Sequence, residues 1–267
     1  MGYLLALHVI IAAIALTSCG RTPGTQVTVA GSTSVQPFAE VLAEKFCESR
    51  PGVSVVVQGG GSTAGIQAVR EGAAQIGTVS RALHEEEQDL RSVTIARDGI
   101  AVIVHPSNTL DSLATEQVRD IFSGRISDFS RIGGPRGRVW PVTREEGSGT
   151  RGAFQELVMG KTTITPKALV QSSNGSMREL VATDPWAIGF ISLGLVDGSV
   201  KALHIDGAEP SRANVKNGTY KLCRPFLFVL KSEPHGAAKE FIDFVLSDEG
   251  QRLLEEEGLV EAESRPH

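Results

Sequence analysis

A chain of 267 residues with a net charge of −5, 41 % hydrophobic and 21 % charged residues has the composition of an ordinary soluble protein of one large or two medium domains. The acidic balance argues against a general nucleic-acid binder, which presents a basic face. It leaves a small-anion receptor open, because a buried site works through a few aimed donors rather than through net charge.

Only the start is membrane-like. Leu4 to Leu16 is an apolar run of signal-peptide length, too short for a spanning helix. Leu16-Thr-Ser-Cys19 follows at once and resembles a bacterial lipoprotein processing site, with cleavage before Cys19 and lipid on its sulfur. The usual positive n-region is missing, since only His8 could carry charge there; the bland alternative is an uncleaved anchor with an incidental cysteine. The expected organisation is a signal peptide over 1–18 and a lipidated tether over 19–24. Cys47 and Cys223 remain, as a disulfide outside the cytoplasm or as two buried thiols.

Beyond the tether, Gln26 to Ala30 alternates as a strand, and Val35, Phe38, Leu42 and Phe46 recur at helical spacing until Pro51-Gly52. Val53 to Val57 predicts a second strand, Ile66 and Val69 a second helix, and Gln75 to Val79 a third strand ending in Ser80-Arg81. His84 to Leu90 reads as a charged, solvated helix. Ser92 to Val104 reads as extended, interrupted at Arg97-Asp98-Gly99. Thr115 is a plausible N-cap for a helix over 116–122, and 123–138 is loop. Val139 to Val142 predicts a strand and Ala153 to Val158 a helix. Asn174-Gly-Ser176 precedes a helix over 177–182. Ala187 to Ile191, Lys201 to Ile205 and Leu222 to Leu230 read as strands, the last at an edge or bend because of Pro225. Ala237 to Leu254 is one amphipathic stretch with Phe241, Phe244, Val245 and Leu246 near one face, and the tail after Gly258 is short, polar and mobile.

Strands alternating with helices indicate an α/β fold with mostly parallel sheets, whose ligands sit beyond the carboxyl ends of strands. Three Gly/Ser turns occupy that place, at 31–34, 59–63 and 147–150. Helix N-termini carry unpaired N–H groups and partial positive charge, glycine admits close approach, and serine and threonine add hydroxyls. Arg144 adds a planar fork of donors suited to an oxyanion. One such turn is explained by helix capping; three converging would aim three helix starts at one anion.

At these residues the chain resembles the phosphate-binding lipoproteins of bacterial Pst-type ABC transporters. Ala30-Gly-Ser-Thr-Ser-Val-Gln-Pro37, Gly60-Gly-Ser-Thr-Ala-Gly-Ile66 and Arg144-Glu-Glu-Gly-Ser-Gly-Thr-Arg151 are similar to that family's three phosphate loops. Ala187-Ile-Gly-Phe-Ile-Ser-Leu-Gly194 is similar to a recurrent strand and turn. The third loop is the most specific, and the resemblance covers roughly 26–257. It implies a two-lobed type II periplasmic binding protein fold with the ligand cleft between lobes, lobe one at 25–104 plus 222–267 and lobe two at 105–221. It implies phosphate ligands at Thr33, Ser34, Ser62, Ser80, Arg144, Ser148, Gly149 and Thr150, with Glu146 holding the Arg144 guanidinium. A branch of the family has an acidic residue in the third-strand turn, where this chain has Ser80. Asp98 is therefore the expected acceptor for phosphate's proton, which sulfate lacks; the bland alternative is a turn cap or a partner for Arg81 or Arg97.

The resemblance also implies extracytoplasmic phosphate binding and delivery to ABC transporter permease subunits, by a monomer anchored to the membrane through lipid on Cys19. It implies no cofactor, metal or nucleic acid. The alternative ligands are sulfate, molybdate or tungstate, and a third possibility is an adhesion or signalling protein that has lost its ligand. An enzyme is disfavoured. Gly160-Lys-Thr162 lacks the earlier P-loop glycine, which would fall at Gln155. There is no Gly-x-Ser-x-Gly turn, and the six histidines are scattered.

Overall fold

The computed structural model describes residues 25–262, so the expected signal peptide, Cys19 with its tether, and 263–267 lie outside the described residues. In chain order come β1 (Thr25–Gly31), α1 (Gln36–Glu48), β2 (Val53–Gly59), α2 (Ser62–Glu71), β3 (Ile76–Val79), β4 (Arg91–Val104), β5 (Ser112–Leu113) and α3 (Thr115–Ser123). Next are β6 (Trp140–Arg144), α4 (Gly149–Phe154), β7 (Leu169–Gln171), α5 (Asn174–Thr183) and β8 (Ala187–Ser192). The remainder is β9 (Lys201–Ala202), β10 (His204–Ile205), α6 (Arg212–Lys216), β11 (Cys223–Leu230), α7 (Gly236–Val245), α8 (Asp248–Glu256) and β12 (Val260–Glu261).

The main sheet runs β2-β1-β3-β11-β4-β8-β6-β7. β1 pairs parallel with β2 and β3, and β6 pairs parallel with β7 and β8. Between these parallel groups lie the antiparallel strands β11 and β4. Parallel neighbours need a crossover, and α1, with its buried stripe of Phe38, Leu42 and Phe46, supplies the first by covering one face of the sheet. Separate apolar clusters flank the two parallel groups, one around Phe38, Phe46, Phe226 and Phe241 and another around Phe122, Phe154 and Phe190.

β4 joins the halves. Its first nine residues, Arg91 to Gly99, pair with β11, and Ile100 to Val104 pair with β8. The expected interruption at Arg97-Asp98-Gly99 is absent: the strand continues, because Asp98 lies directly opposite Arg224 across the ladder and its charge is compensated there. Gly99 is needed at the crossing, since a Cβ would come within 3.0 Å of Leu193 and Val215 side-chain carbons. The return crossing is pinned beside it by Ile100 N–H to Leu222 O (2.7 Å) and Tyr220 Oη–H to Ile100 O (2.8 Å). Pro225 stands where β11 is paired only with β4, one residue before a bulge at Phe226/Leu227, so its missing N–H costs no ladder bond on the other side.

Four further expectations change. His84–Leu90 is not a solvated helix but a single 3-10 turn at Glu85–Glu87, because buried Glu87 turns inward to accept two hydrogen bonds from Arg81 and one from the His84 N–H. The 237–254 stretch is two helices. Ser247 caps the second by accepting the Gly250 N–H, and Gly250 packs where a Cβ would overlap the Phe244 carbonyl. Leu246, placed on the apolar face from sequence, is 39 % exposed at the break. The segment after Gly258 buries Leu259 and Val260 and adds β12 to β4, because Leu259 packs into the cluster around Phe38 and Phe226 and Val260 into the one around Phe122 and Phe190. The helix after the Asn174 turn starts at Asn174 itself, capped by Ser173. Cys47 and Cys223 are half-buried free thiols.

Candidate functional site

All three Gly/Ser turns sit at carboxyl ends of parallel strands, and the structure brings them together. The first follows β1. Ser32 Oγ–H donates to Ser80 Oγ at 2.8 Å and accepts the Ser34 N–H at 3.2 Å. The second opens α2, where buried Ser62 accepts the Ser80 N–H at 3.1 Å. The third follows β6: Ser148 caps α4, and Gly149 and Thr150 begin it, so their N–H groups have no acceptor within the helix. Contacts across the halves are close. Ser34 Oγ and Thr150 Oγ1 share a hydrogen bond of 2.6 Å, and the Thr63 N–H reaches Gly147 O at 3.2 Å. A Cβ at Gly149 would overlap Ser62 Oγ and lie 2.6 Å from Ser80 Oγ, so no other residue lets the turns meet this closely.

Arg144 ends β6 and is fully buried. Its Nε and Nη2 donate to Glu145 at 2.9 and 2.8 Å, to the Gln171 and Ser172 carbonyls at 3.1 and 3.0 Å, and to Thr33 Oγ1 at 3.0 Å across the cleft. Its Nη1 has no protein partner although it is buried. A buried guanidinium donor left unpaired is costly, and an anion would satisfy it. The orienting carboxylate is Glu145, not Glu146. Glu146 is 92 % exposed and lies 3.8 Å from Arg151, because its side chain leaves the turn on the solvent side. Of the sequence-derived set, Thr33, Ser34, Ser62, Ser80, Arg144, Ser148, Gly149 and Thr150 are all in this constellation.

Asp98 is not among its donors and acceptors. Its Oδ2 takes Nε and Nη2 of Arg224 at 3.1 and 2.9 Å, and Ser192 Oγ donates to Oδ1 at 2.9 Å. Three donors within the protein already engage both carboxylate oxygens, so this carboxylate is committed to Arg224 and Ser192. Its partner is Arg224, neither Arg81 nor Arg97. Burial pushes the Asp98 carboxyl up from its ordinary value, opposed by the guanidinium.

Sequence reasoning missed Asn174, Arg224 and Glu145. Asn174 donates from Nδ2 to Ser34 Oγ at 2.8 Å and accepts the Ser192 N–H on Oδ1 at 3.2 Å. The signal was present: Asn174-Gly-Ser176 is a fourth polar turn joining a parallel strand, β7, to a helix. Arg224 carried no signal, since its partner is distant in sequence. A cavity of about 670 Å³ lies at the other end of β6, around Arg138, Trp140 and Lys167, away from these groups.

An α/β chain with two sheet halves, crossing strands between them and polar loops meeting in the cleft is a type II periplasmic binding protein. The family model for the PBP superfamily domain matches residues 17–249. The phosphate-binding protein PstS of Bacillus subtilis (strain 168) is 32 % identical over 233 residues, covering 85 % of this chain and 77 % of that protein. An ABC transporter substrate-binding protein from Clostridium perfringens, assigned to phosphate and solved with bound phosphate, is 42 % identical, with a TM-score of 0.87 over 90 % of this chain and all of that one. An ABC-type phosphate transport receptor from Vibrio cholerae is 40 % identical, with a TM-score of 0.75 over 88 % and 100 % of the two chains. The chain belongs to the PBP superfamily and, within it, to the family of PstS phosphate-binding proteins.

Proposed function

We propose that this protein binds inorganic phosphate outside the cytoplasm and delivers it to the permease of an ABC transporter for import. The observation that carries the proposal is Arg144 Nη1, a buried donor without a protein partner on a guanidinium whose Nη2 reaches Thr33 in the first turn. The relatives' names favour phosphate over sulfate, molybdate or tungstate. Thr33, Ser34, Ser62, Ser80, Arg144, Ser148, Gly149 and Thr150 are assigned to the ligand, through hydroxyls, the guanidinium and the N–H groups that open α4. Hydrogen bonds to charged groups contribute about 1.5–3 kcal/mol each, and micromolar binding needs about 8 kcal/mol. The surplus from this many donors offsets desolvation and lobe closure.

Lobe one is assigned to 25–104 plus 222–267 and lobe two to 105–221, with Gly99 and Leu222 at the crossings. The chain is read as a monomeric receptor rather than an enzyme, since its relatives are transport proteins, and as lipid-anchored through Cys19. Among the described residues no helix is long and apolar enough to cross a membrane. Calorimetric titration of residues 25–267, stripped of bound ligand, tests the assignment. Tight phosphate binding without sulfate or molybdate binding is the expected result. A preference for sulfate or molybdate keeps the anion site and changes the substrate; no binding of any of the three overturns the function.

A further inference from the structure

The buried polar groups form a closed ring that crosses between the lobes twice. At the hinge, Arg224 ties Asp98 on β4 to the third-strand turn, because its Nη1 donates to the Ser80 carbonyl at 3.1 Å while Nε and Nη2 hold the carboxylate. The other oxygen of Asp98 takes Ser192, at the end of β8 in lobe two. Ser192 then presents its N–H to Asn174 Oδ1, and Asn174 Nδ2 reaches back to Ser34 in lobe one. Ser34 closes the ring through Ser32 to Ser80. Every side chain in the ring is almost completely buried.

We propose that Asn174 is a positioning residue that latches the closed cleft and sets the Ser34 hydroxyl as a donor to the ligand. A carboxamide has one acceptor end and one donor end. The Ser192 N–H fixes the acceptor end, so the donor end must face Ser34. With one lone pair of Ser34 Oγ taken by Asn174 and the other accepting the Thr150 hydroxyl, the single Ser34 proton is left for the anion, which is the polarity an oxyanion requires. Asp98 and Arg224 act through this chain. They hold Ser192 and the Ser80 turn at fixed separation, so that the latch and the lobe-one loops meet in register. Asp98 thereby shapes the site without touching the ligand. The latch presupposes phosphate as ligand and names the residues that retain it.

The test is stopped-flow measurement of phosphate association and release with the wild-type protein, Asn174→Leu, Asp98→Asn and the double variant. Asn174→Leu is close in shape and deletes both hydrogen bonds. It should speed release about tenfold and change association less than about threefold, since the latch forms only on closure. Asp98→Asn should also speed release, and the double variant should fall short of the product of the two effects, although the residues do not touch. Release at the wild-type rate from folded Asn174→Leu, or strictly multiplicative effects in the double variant, overturns the latch. Should Asn174→Leu not fold, Ser192→Ala carries the test: it keeps the N–H to Asn174 and cuts only the link to Asp98. Faster release supports the latch and wild-type release overturns it. A wild-type protein that binds no phosphate overturns the phosphate assignment first, whereas normal wild-type binding with unchanged release in the variants overturns the latch alone.

Discussion

The molecule buries two arginines to the same degree, and they do opposite things. Arg224 sits between the crossing strands with a carboxylate and a carbonyl, and each of its three side-chain nitrogens has a partner. Arg144 sits at the end of β6 with a partner, Glu145, that is one-third exposed, and with Nη1 unpaired. Burying an ion pair is favourable only when geometry and extra hydrogen bonds compensate the lost hydration. Arg224 meets that condition within the protein, while Arg144 meets it only once an anion arrives. Burial alone therefore does not distinguish a structural charge from a binding one; the count of satisfied donors does.

Removing each cation should break the comparison in opposite directions. Arg224→Leu strands the Asp98 charge in the core and should cost about 3–5 kcal/mol of stability in urea unfolding of the ligand-free protein. A loss below about 1 kcal/mol would show that the pair is not compensating a buried charge. Arg144→Ala should leave the ligand-free melting temperature within a few degrees and weaken phosphate roughly 10- to 150-fold by calorimetry. Wild-type affinity in that folded variant removes Arg144 from the site. Gly149→Ala sharpens the contrast by steric means. Its Cβ collides with Ser62 Oγ only when the lobes meet, so overpacking of about 1–3 kcal/mol should appear in phosphate affinity and not in ligand-free melting.

The smallest effect concerns a third buried pair, Arg81–Glu87, next to the Ser80 turn. Burial alone would raise the Glu87 carboxyl, but the hydrogen bonds from Arg81 and the His84 N–H more than offset it and hold the group below its ordinary 4.5. A depressed folded value contributes stability that is complete above pH 4.5 and is lost as pH falls through the lowered value. Glu87→Gln should therefore melt about 2–4 °C lower at pH 7, for a loss of about 1 kcal/mol, and the gap should close below pH 4.5. A gap that persists or widens in acid contradicts the ion-pair assignment.

Most of the sheet half around β1 to β3 was legible locally. Alternating β1, the Phe38–Leu42–Phe46 stripe and the Gly/Ser turns are signals within a few residues, and each element formed where its pattern lies. The convergence of the polar turns was legible for the same reason, since Ser34, Ser62, Ser80, Arg144 and Thr150 lie in turns whose position in an α/β fold follows from topology. Misreadings arose where a distant partner overrode a local cue. Arg97-Asp98-Gly99 carries the composition of a break, yet β4 runs through it because Arg224 waits on β11. The charged run at 84–90 looks solvated, yet Arg81 draws Glu87 inward. Glu145 and Glu146 are adjacent carboxylates that sequence cannot rank; the turn after β6 points one at Arg144 and the other at water.

The sequence by itself determined most of the elements, the α/β class and the set of polar turns that meet, because periodicity, glycine and hydroxyl side chains act over one or two turns of chain. Tertiary structure alone decided who satisfies whom. The assignment of Asp98 to Arg224 instead of the ligand, the reach of Asn174 to Ser34, and the unpaired Nη1 of Arg144 join residues up to 140 positions apart. Hydrogen-bond saturation of a buried charge is a property of three-dimensional surroundings, and no local pattern encodes it.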